Sequence, residues 1–268
     1  MPYDDLRGFL AALTDADEVR TVRGADWDLE LGTIDELNYE RRGPALLFDE
    51  IGSYPGGFRV LTNTTATKRR ASIALGFDPD MPEEEALTRI EEMLKSARPV
   101  PPVEVTTGPL MQNVFTGQDI DLLKFPTPRW HENDGGRYLG TGCCVILRDP
   151  DTGQVNYGAY RVMVHDANTT GLYITPSHVG AVIRRKYWQR GQSAPVAVSF
   201  GQDPIWTGPY RLSDRHPGPD GEGRHAQVRS CRSHPRGAGR SDSRAGDGPA
   251  RSCQQRDRDC RRVPAAGR

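Results

Sequence analysis

Apolar positions along this chain recur first at helical and then at strand spacing. Leu6, Phe9, Leu10 and Leu13 form one stripe of an amphipathic helix, and short apolar runs follow at residues 45–48 and 58–61. Helical spacing then returns twice. Residues 67–75 read as a helix that Gly76 ends, and Asp80 is placed to cap another through Glu83, Leu87, Ile90 and Leu94. Pro99, Pro101 and Pro102 close this region, so the pattern predicts a small α/β domain over residues 1–108.

After Pro109 strands dominate, at residues 114–115, 138–147, 154–165, 172–174 and 196–200, with one helix over 179–190 closed by Gly191. Asp149, Pro150, Asp151 and Gly153 supply a tight turn between the two longest strands, which makes them a hairpin. On a continuous strand Asn156, Gly158 and Tyr160 share one face, and Tyr157, Ala159 and Arg161 the other. Gly158 and Ala159 would leave the backbone bare enough for a flat ligand. The expected fold is α+β, with residues 109–210 forming part of a β-barrel-like domain.

The pattern stops at about Tyr210. Residues 211–268 hold no aromatic residue, and their only branched aliphatics are Leu212, Val228 and Val263, too little apolar surface to offset chain entropy. This tail is therefore expected to be disordered. It contains 14 Arg, no Lys and 7 acidic residues, a net +7, whereas residues 1–210 carry 21 basic and 29 acidic side chains, a net −8. An Arg-rich arm for nucleic acid is one reading of that asymmetry. The other is a GC-rich gene read out of frame, which yields this mixture of Arg, Gly, Ser, Pro, Ala and Asp.

No apolar run reaches membrane-spanning length and the acidic N-terminus is unlike a signal peptide, so a soluble cytoplasmic protein is expected. Cys143 and Cys144 are adjacent on one strand, and Cys231, Cys253 and Cys260 show no metal-ligand spacing. With no His or acid at a recognisable catalytic spacing, Cys143 and Cys144 read as small packed strand residues. DGGRYLGTG lacks the Lys-Ser/Thr ending of a phosphate loop and precedes a strand, which favours a glycine turn. His131 and His165 are read as structural.

Asn156 offers an amide oxygen and His178 an imidazole nitrogen, donors suited to a divalent cation such as Mn2+ or Mg2+. On residues alone, Asn156 could equally satisfy backbone groups near the turn, and His178 could be a helix-entry or surface residue. Arg161 can hold a carboxylate through its planar fork, or be an ordinary strand-end surface Arg. Tyr160 could be a core aromatic.

The runs DGGRYLGTG, DPDTGQVNYGAYRVMV, ITPSHVGAV and PVAVSFGQDP resemble the UbiD-like decarboxylases, which use prenylated flavin mononucleotide, and the likeness covers most of residues 1–210. The resemblance implies a flavin-reductase-like split β-barrel whose remaining strands come from sequence further on. It implies that Asn156 and His178 ligate Mn2+ or another divalent cation, with a later Glu as third ligand, and allows K+ as well. Ala159, Tyr160 and Arg161, with Ile174, Thr175, Pro176, Ser177, His178, Val179 and Gly180, match cofactor-contacting positions. Arg161 matches the catalytic Arg of a Glu-Arg-Glu network. The implied reaction is reversible decarboxylation of an aromatic or α,β-unsaturated acid, with a flavin prenyltransferase as cofactor source, in a homo-oligomer.

The resemblance also bears on the tail. Residues 251–264, RSCQQRDRDCRRVP, are codon-compatible in a shifted frame with Val-Pro-Ala-Ser-Asn-Glu-Ile-Val-Ile-Ala-Gly-Glu-Phe-Leu, and residues 231–240 with Ala-Gly-Ala-Ile-Arg-Gly-Glu-Pro-Val-Glu. Both resemble later segments of the family, in order. The reading is a UbiD-like carboxy-lyase whose last in-frame residues lie near Tyr210 and whose product is inactive without the later Glu residues. The alternatives are a non-catalytic flavin-binding remnant and an Arg-tailed nucleic-acid-binding protein.

Overall fold

A parallel strand pair that the apolar pattern does not announce organises the N-terminal part. In a computed structural model of the chain, which describes residues 3–98 and 103–206, β1 (Val19–Arg23) pairs parallel with β2 (Ala45–Asp49). The crossover between them is α2 (Glu30–Glu40), as parallel neighbours require. β3 (Val60–Thr62) adds antiparallel to β2, and the expected strand over 58–61 begins two residues later than its apolar run. Neither β1 nor α2 was expected. VRTVR places its two valines three apart instead of alternating, and α2 buries only Leu31 and Gly32.

The other N-terminal elements follow the sequence. α1 (Leu6–Asp15) is capped by the Asp5 carboxylate and buries Phe9 and Leu13 in a cluster with Ala45, Ile73 and Ala74. α3 (Lys68–Leu75) starts at Thr67, whose hydroxyl accepts from the Arg70 N–H, and stops at Gly76 in the left-handed conformation. α4 (Glu83–Ser96) also forms, but its N-cap is Pro82; Asp80 instead pairs with Arg69. Arg70 is fully buried, donating from Nε to the Asn63 carbonyl (2.8 Å) and from a terminal nitrogen to Glu18 and the Gly43 carbonyl (both 3.0 Å).

In the second part the hairpin exists, but both arms break. The first arm is β4 (Arg137–Gly140) and β5 (Cys144–Arg148), and the second is β6 (Val155–Gly158) and β7 (Val162–Val164). β4 and β7 join β8 (Thr170–Leu172) in one sheet, while β5 and β6 join β9 (Val196–Ser199) in another. The arms cross together from sheet to sheet, at residues 141–143 and 159–161, and the β4–β7 register shifts just before the crossing. Bends of this kind let one hairpin turn the corner between two packed sheets. Gly140 stands at the bend, where a Cβ would lie 2.6 Å from both the Cys143 Sγ and the Phe200 ring. The expected strand at 114–115 does not form; Val114 and Phe115 lie in irregular, exposed chain.

α5 (Val179–Gln189), closed by Gly191 as expected, packs against β5 and β6, and Ala181 and Ile183 share a core with Val145, Leu147, Tyr160, Val162 and Ile174. The two parts are tied together by Arg137, whose guanidinium stacks 4.0 Å over the Trp27 ring, bonds Tyr54 and donates to the Thr127 carbonyl (2.8 Å). Arg129 adds an ion pair to Asp28 at 2.6 Å. No helix among the described residues is long and apolar enough to cross a membrane. The tail expected to be disordered, residues 211–268, lies outside the described residues.

Candidate cofactor site at the sheet switch

The residues singled out from sequence gather where the chain changes sheets. β6 carries Asn156 opposite Leu147 of β5, and three residues later the chain leaves that sheet through Ala159, Tyr160 and Arg161. The Arg161 carbonyl accepts from the Tyr173 N–H at 3.3 Å, so the start of the 174–180 segment returns to the same corner. His178 is the N-cap of α5, and its backbone N–H donates to the Thr175 carbonyl at 3.0 Å. Two stretches about twenty residues apart in sequence thus meet.

The individual environments differ. The Asn156 Oδ1 is buried and has no hydrogen-bond partner, and an acceptor buried without a donor is costly enough to need a reason. The His178 side chain is exposed and makes no capping hydrogen bond; its ring centroid lies 5.7 Å from that of Tyr160, tilted by 40°. Arg161 is exposed. Ile174 and Gly180 are buried, Thr175 is half-buried, and Pro176, Ser177 and Val179 are exposed.

Tyr160 is a core residue, 7% exposed, and this revises the expected bare surface at Gly158. A Cβ on Gly158 would lie 2.7 Å from the Tyr160 hydroxyl, so the glycine makes room for that ring and not for a flat ligand. The Tyr160 carbonyl accepts a contact from the Cys143 thiol at 3.1 Å. Burial pushes the Cys143 pKa up, which keeps the thiol protonated and agrees with a packing role.

Sequence reasoning missed what orients α5. At its far end Lys186 pairs with Asp149 at 2.6 Å and Asp151 at 3.0 Å, Arg190 pairs with Asp151, and the Tyr187 hydroxyl donates to the Arg148 carbonyl at 3.1 Å. The helix carrying His178 is therefore fastened to the turn of the hairpin carrying Asn156. Asp149 and Asp151 read only as turn residues in sequence. Among the described residues no three His, Cys, Asp or Glu side chains cluster as a metal site, so Asn156 and His178 supply at most part of a ligand set.

Residues 10–94 match the model of the 3-octaprenyl-4-hydroxybenzoate carboxy-lyase N-terminal domain, and residues 102–208 match that of the carboxy-lyase Rift-related domain. The chain belongs to the UbiD family. The Rift-related match contains the whole sheet switch and α5. Among curated UbiD relatives, the pyrrole-2-carboxylic acid decarboxylase of Pseudomonas aeruginosa is 35% identical over 209 residues, covering 75% of this chain and 42% of the relative. The phenolic acid decarboxylase of Escherichia coli O157:H7 is 32% identical over 217 residues, covering 77% and 45%. Vanillic acid decarboxylase of Sedimentibacter hydroxybenzoicus in its closed form superposes with a TM-score of 0.71 at 26% identity, over 76% of this chain and 44% of that one. The UbiD-class enzyme HmfF of Pelotomaculum thermopropionicum, solved in complex with FMN, gives 0.64 at 25% identity, over 75% and 43%. The chain thus spans a little under half the length of the relatives it matches.

Proposed function

We propose that this chain is the cofactor-holding part of a carboxy-lyase that removes, or in reverse adds, the carboxylate of an aromatic or α,β-unsaturated acid. The observation that carries this reading is the buried, unpartnered Asn156 Oδ1, three residues ahead of a sheet switch, in a family whose named members are decarboxylases. A hard oxygen donor without a hydrogen bond suits Mn2+ or another divalent cation, and the exposed His178 imidazole suits the same ion. Bound there, the cation would anchor the phosphate of prenylated flavin mononucleotide, and K+ is a further ion consistent with the resemblance. A relative in this family has been solved with the prenylated cofactor.

Prenylated flavin supplies the electron sink that decarboxylation at an sp2 carbon requires. The protein's share is orientation and proton handling. Asn156 and His178 would hold the cation and through it the phosphate, the N-terminal end of α5 would favour that anion, and Ala159 and the 174–180 segment would contribute the remaining cofactor contacts. Arg161 presents a planar cation toward the substrate carboxylate or a carboxylate partner. Proton transfer needs such partners, and the reading places them in the family's later sequence.

The two UbiD matches, over residues 10–94 and 102–208, support a two-part division whose boundary falls between 94 and 102, a few residues before the expected 108, and the reading keeps a split barrel for the second part. The Rift-related match ends at residue 208, close to where the composition changes, which supports a reading-frame shift near Tyr210. A cytoplasmic homo-oligomer supplied by a flavin prenyltransferase completes the reading. To test it, the frame-restored protein is reconstituted with prenylated flavin, with and without Mn2+. Manganese-dependent retention that weakens in Asn156→Ala supports the assignment, and unchanged occupancy in that variant removes it. Flavin retention without CO2 release would favour a binding remnant.

A further inference from the structure

Tyr160 stands between the two proposed donors and touches the elements that carry both. Its ring fills the space above Gly158, two residues from Asn156 on β6. On its other side a Cβ on Gly180, in the first turn of α5, would lie 3.0 Å from the Tyr160 hydroxyl and 3.2 Å from ring carbon Cε2. The same ring contacts the His178 imidazole at the helix entrance. Two glycines thus make room for one aromatic wedge, which is itself locked into the core beside Leu147 and Ala181.

His178 has little else to fix it. Its side chain is exposed and makes no capping hydrogen bond, and an unrestrained surface side chain would sample several rotamers. We infer that Tyr160 is a positioning residue: its ring sets the spacing between β6 and the start of α5, and holds the His178 imidazole in the orientation that lets it share a ligand with Asn156. This rests on the cation reading of those two residues. It changes the role expected for Tyr160, which acts by setting where the donors stand instead of by contacting the cofactor.

The wedge can be removed or pushed. Tyr160→Phe keeps the ring and drops only the hydroxyl, Tyr160→Leu removes the ring, and Gly158→Ala leaves Tyr160 in place but drives a methyl into its ring. The full chain, labelled at histidine, contains 6 His, and His178→Gln assigns the wanted resonance. Two properties are then read by NMR: the ring-to-ring cross-peak between Tyr160 and His178, and selective broadening of the His178 resonance by added Mn2+. Paramagnetic broadening reports even weak binding, so an incomplete ligand set does not blind it.

The wild type and Tyr160→Phe are expected to show both signals. Tyr160→Leu and Gly158→Ala should move the His178 resonance toward that of a free surface histidine and weaken its Mn2+ broadening at least several-fold. If Tyr160→Leu fails to fold, Gly158→Ala decides alone. Undiminished broadening in folded Tyr160→Leu or Gly158→Ala would overturn the wedge while leaving the cation reading intact. A Tyr160–His178 cross-peak in the wild type with no selective broadening would instead retire the cation reading, and the proposed purpose of the wedge with it.

Discussion

Replacing Asn156 by Val should make the cofactor-free protein more stable. The Oδ1 of Asn156 is buried without a partner, and leaving such an acceptor unsatisfied costs about 1–3 kcal/mol. Valine removes the orphan and offers a β-branched side chain to a strand position facing Leu147, which suits the pleated, half-buried surface of β6. The lost amide packing works in the other direction, so the expected net gain is about 1–2 kcal/mol. For a fold of this size that corresponds to a melting temperature higher by roughly 2–8 °C. Scanning calorimetry on the cofactor-free chain, supported by urea unfolding at constant m-value, would measure it. Cofactor retention in the frame-restored protein should fall in the same variant, a trade of function against stability. A loss of 1 kcal/mol or more in the cofactor-free variant would show that Oδ1 is satisfied within the protein, and would remove the reason for placing a cation there.

Arg70→Met should destabilise the N-terminal part by about 1–3 kcal/mol, because it takes the donor from the part-buried Asn63 and Gly43 carbonyls and leaves Glu18 paired with Arg69 alone; a urea midpoint close to wild type would contradict that. Alkaline pH should weaken the fold. Burial raises the pKa of Cys143 and, with the nearby Asp203 carboxylate, that of Tyr3, so each favours its neutral form more in the folded than in the unfolded state. Their stabilising effect is complete below the unfolded-state pKa values, about 8.5 for a thiol and 10 for a phenol. Above those values it is lost as the unfolded chain releases protons first. Urea midpoints should therefore fall progressively from pH 8 to 11, and Cys143→Ser with Tyr3→Phe should flatten the decline; an unchanged slope in the double variant would refute the attribution.

What the sequence made legible was whatever local chemistry decides alone. Thr67 and Gly76 bracket α3, Gly191 closes α5, and Asp149 to Gly153 turn the hairpin because capping and turn geometry depend on a few adjacent residues. Asp80 shows the limit of that logic, since it has capping chemistry but is taken by Arg69, a partner eleven residues away. β1 is held by parallel pairing to β2, a contact that VRTVR does not encode in its own alternation. The break in both hairpin arms was hidden for a related reason. Residues 138–147 and 154–165 stay strand-like in composition throughout, and only the packing of Gly140 against Cys143 and Phe200 reveals the corner.

The candidate site was legible as a set of residues and not as an arrangement. Asn156, Arg161 and His178 stood out by type, spacing and family resemblance, but the burial of the Asn156 oxygen and the packing of Tyr160 against Gly158 and Gly180 are set by the fold and not by adjacent residues. Lys186 and Tyr187 had no sequence signal, because their partners, Asp149 and the Arg148 carbonyl, lie 37 and 39 residues earlier.

Turnover by the frame-restored protein and its Arg161→Lys variant, each reconstituted with prenylated flavin and Mn2+ and followed as CO2 release from a panel of aromatic and α,β-unsaturated acids, tests the central claim most directly. Lysine keeps the charge but loses the planar fork that holds a carboxylate bidentately. The restored protein should decarboxylate at least one acid, and Arg161→Lys should keep its flavin spectrum while losing about two orders of magnitude or more in rate, the scale of a positioned proton donor. Equal turnover in the variant, or no turnover by a restored protein carrying full cofactor, would contradict the account.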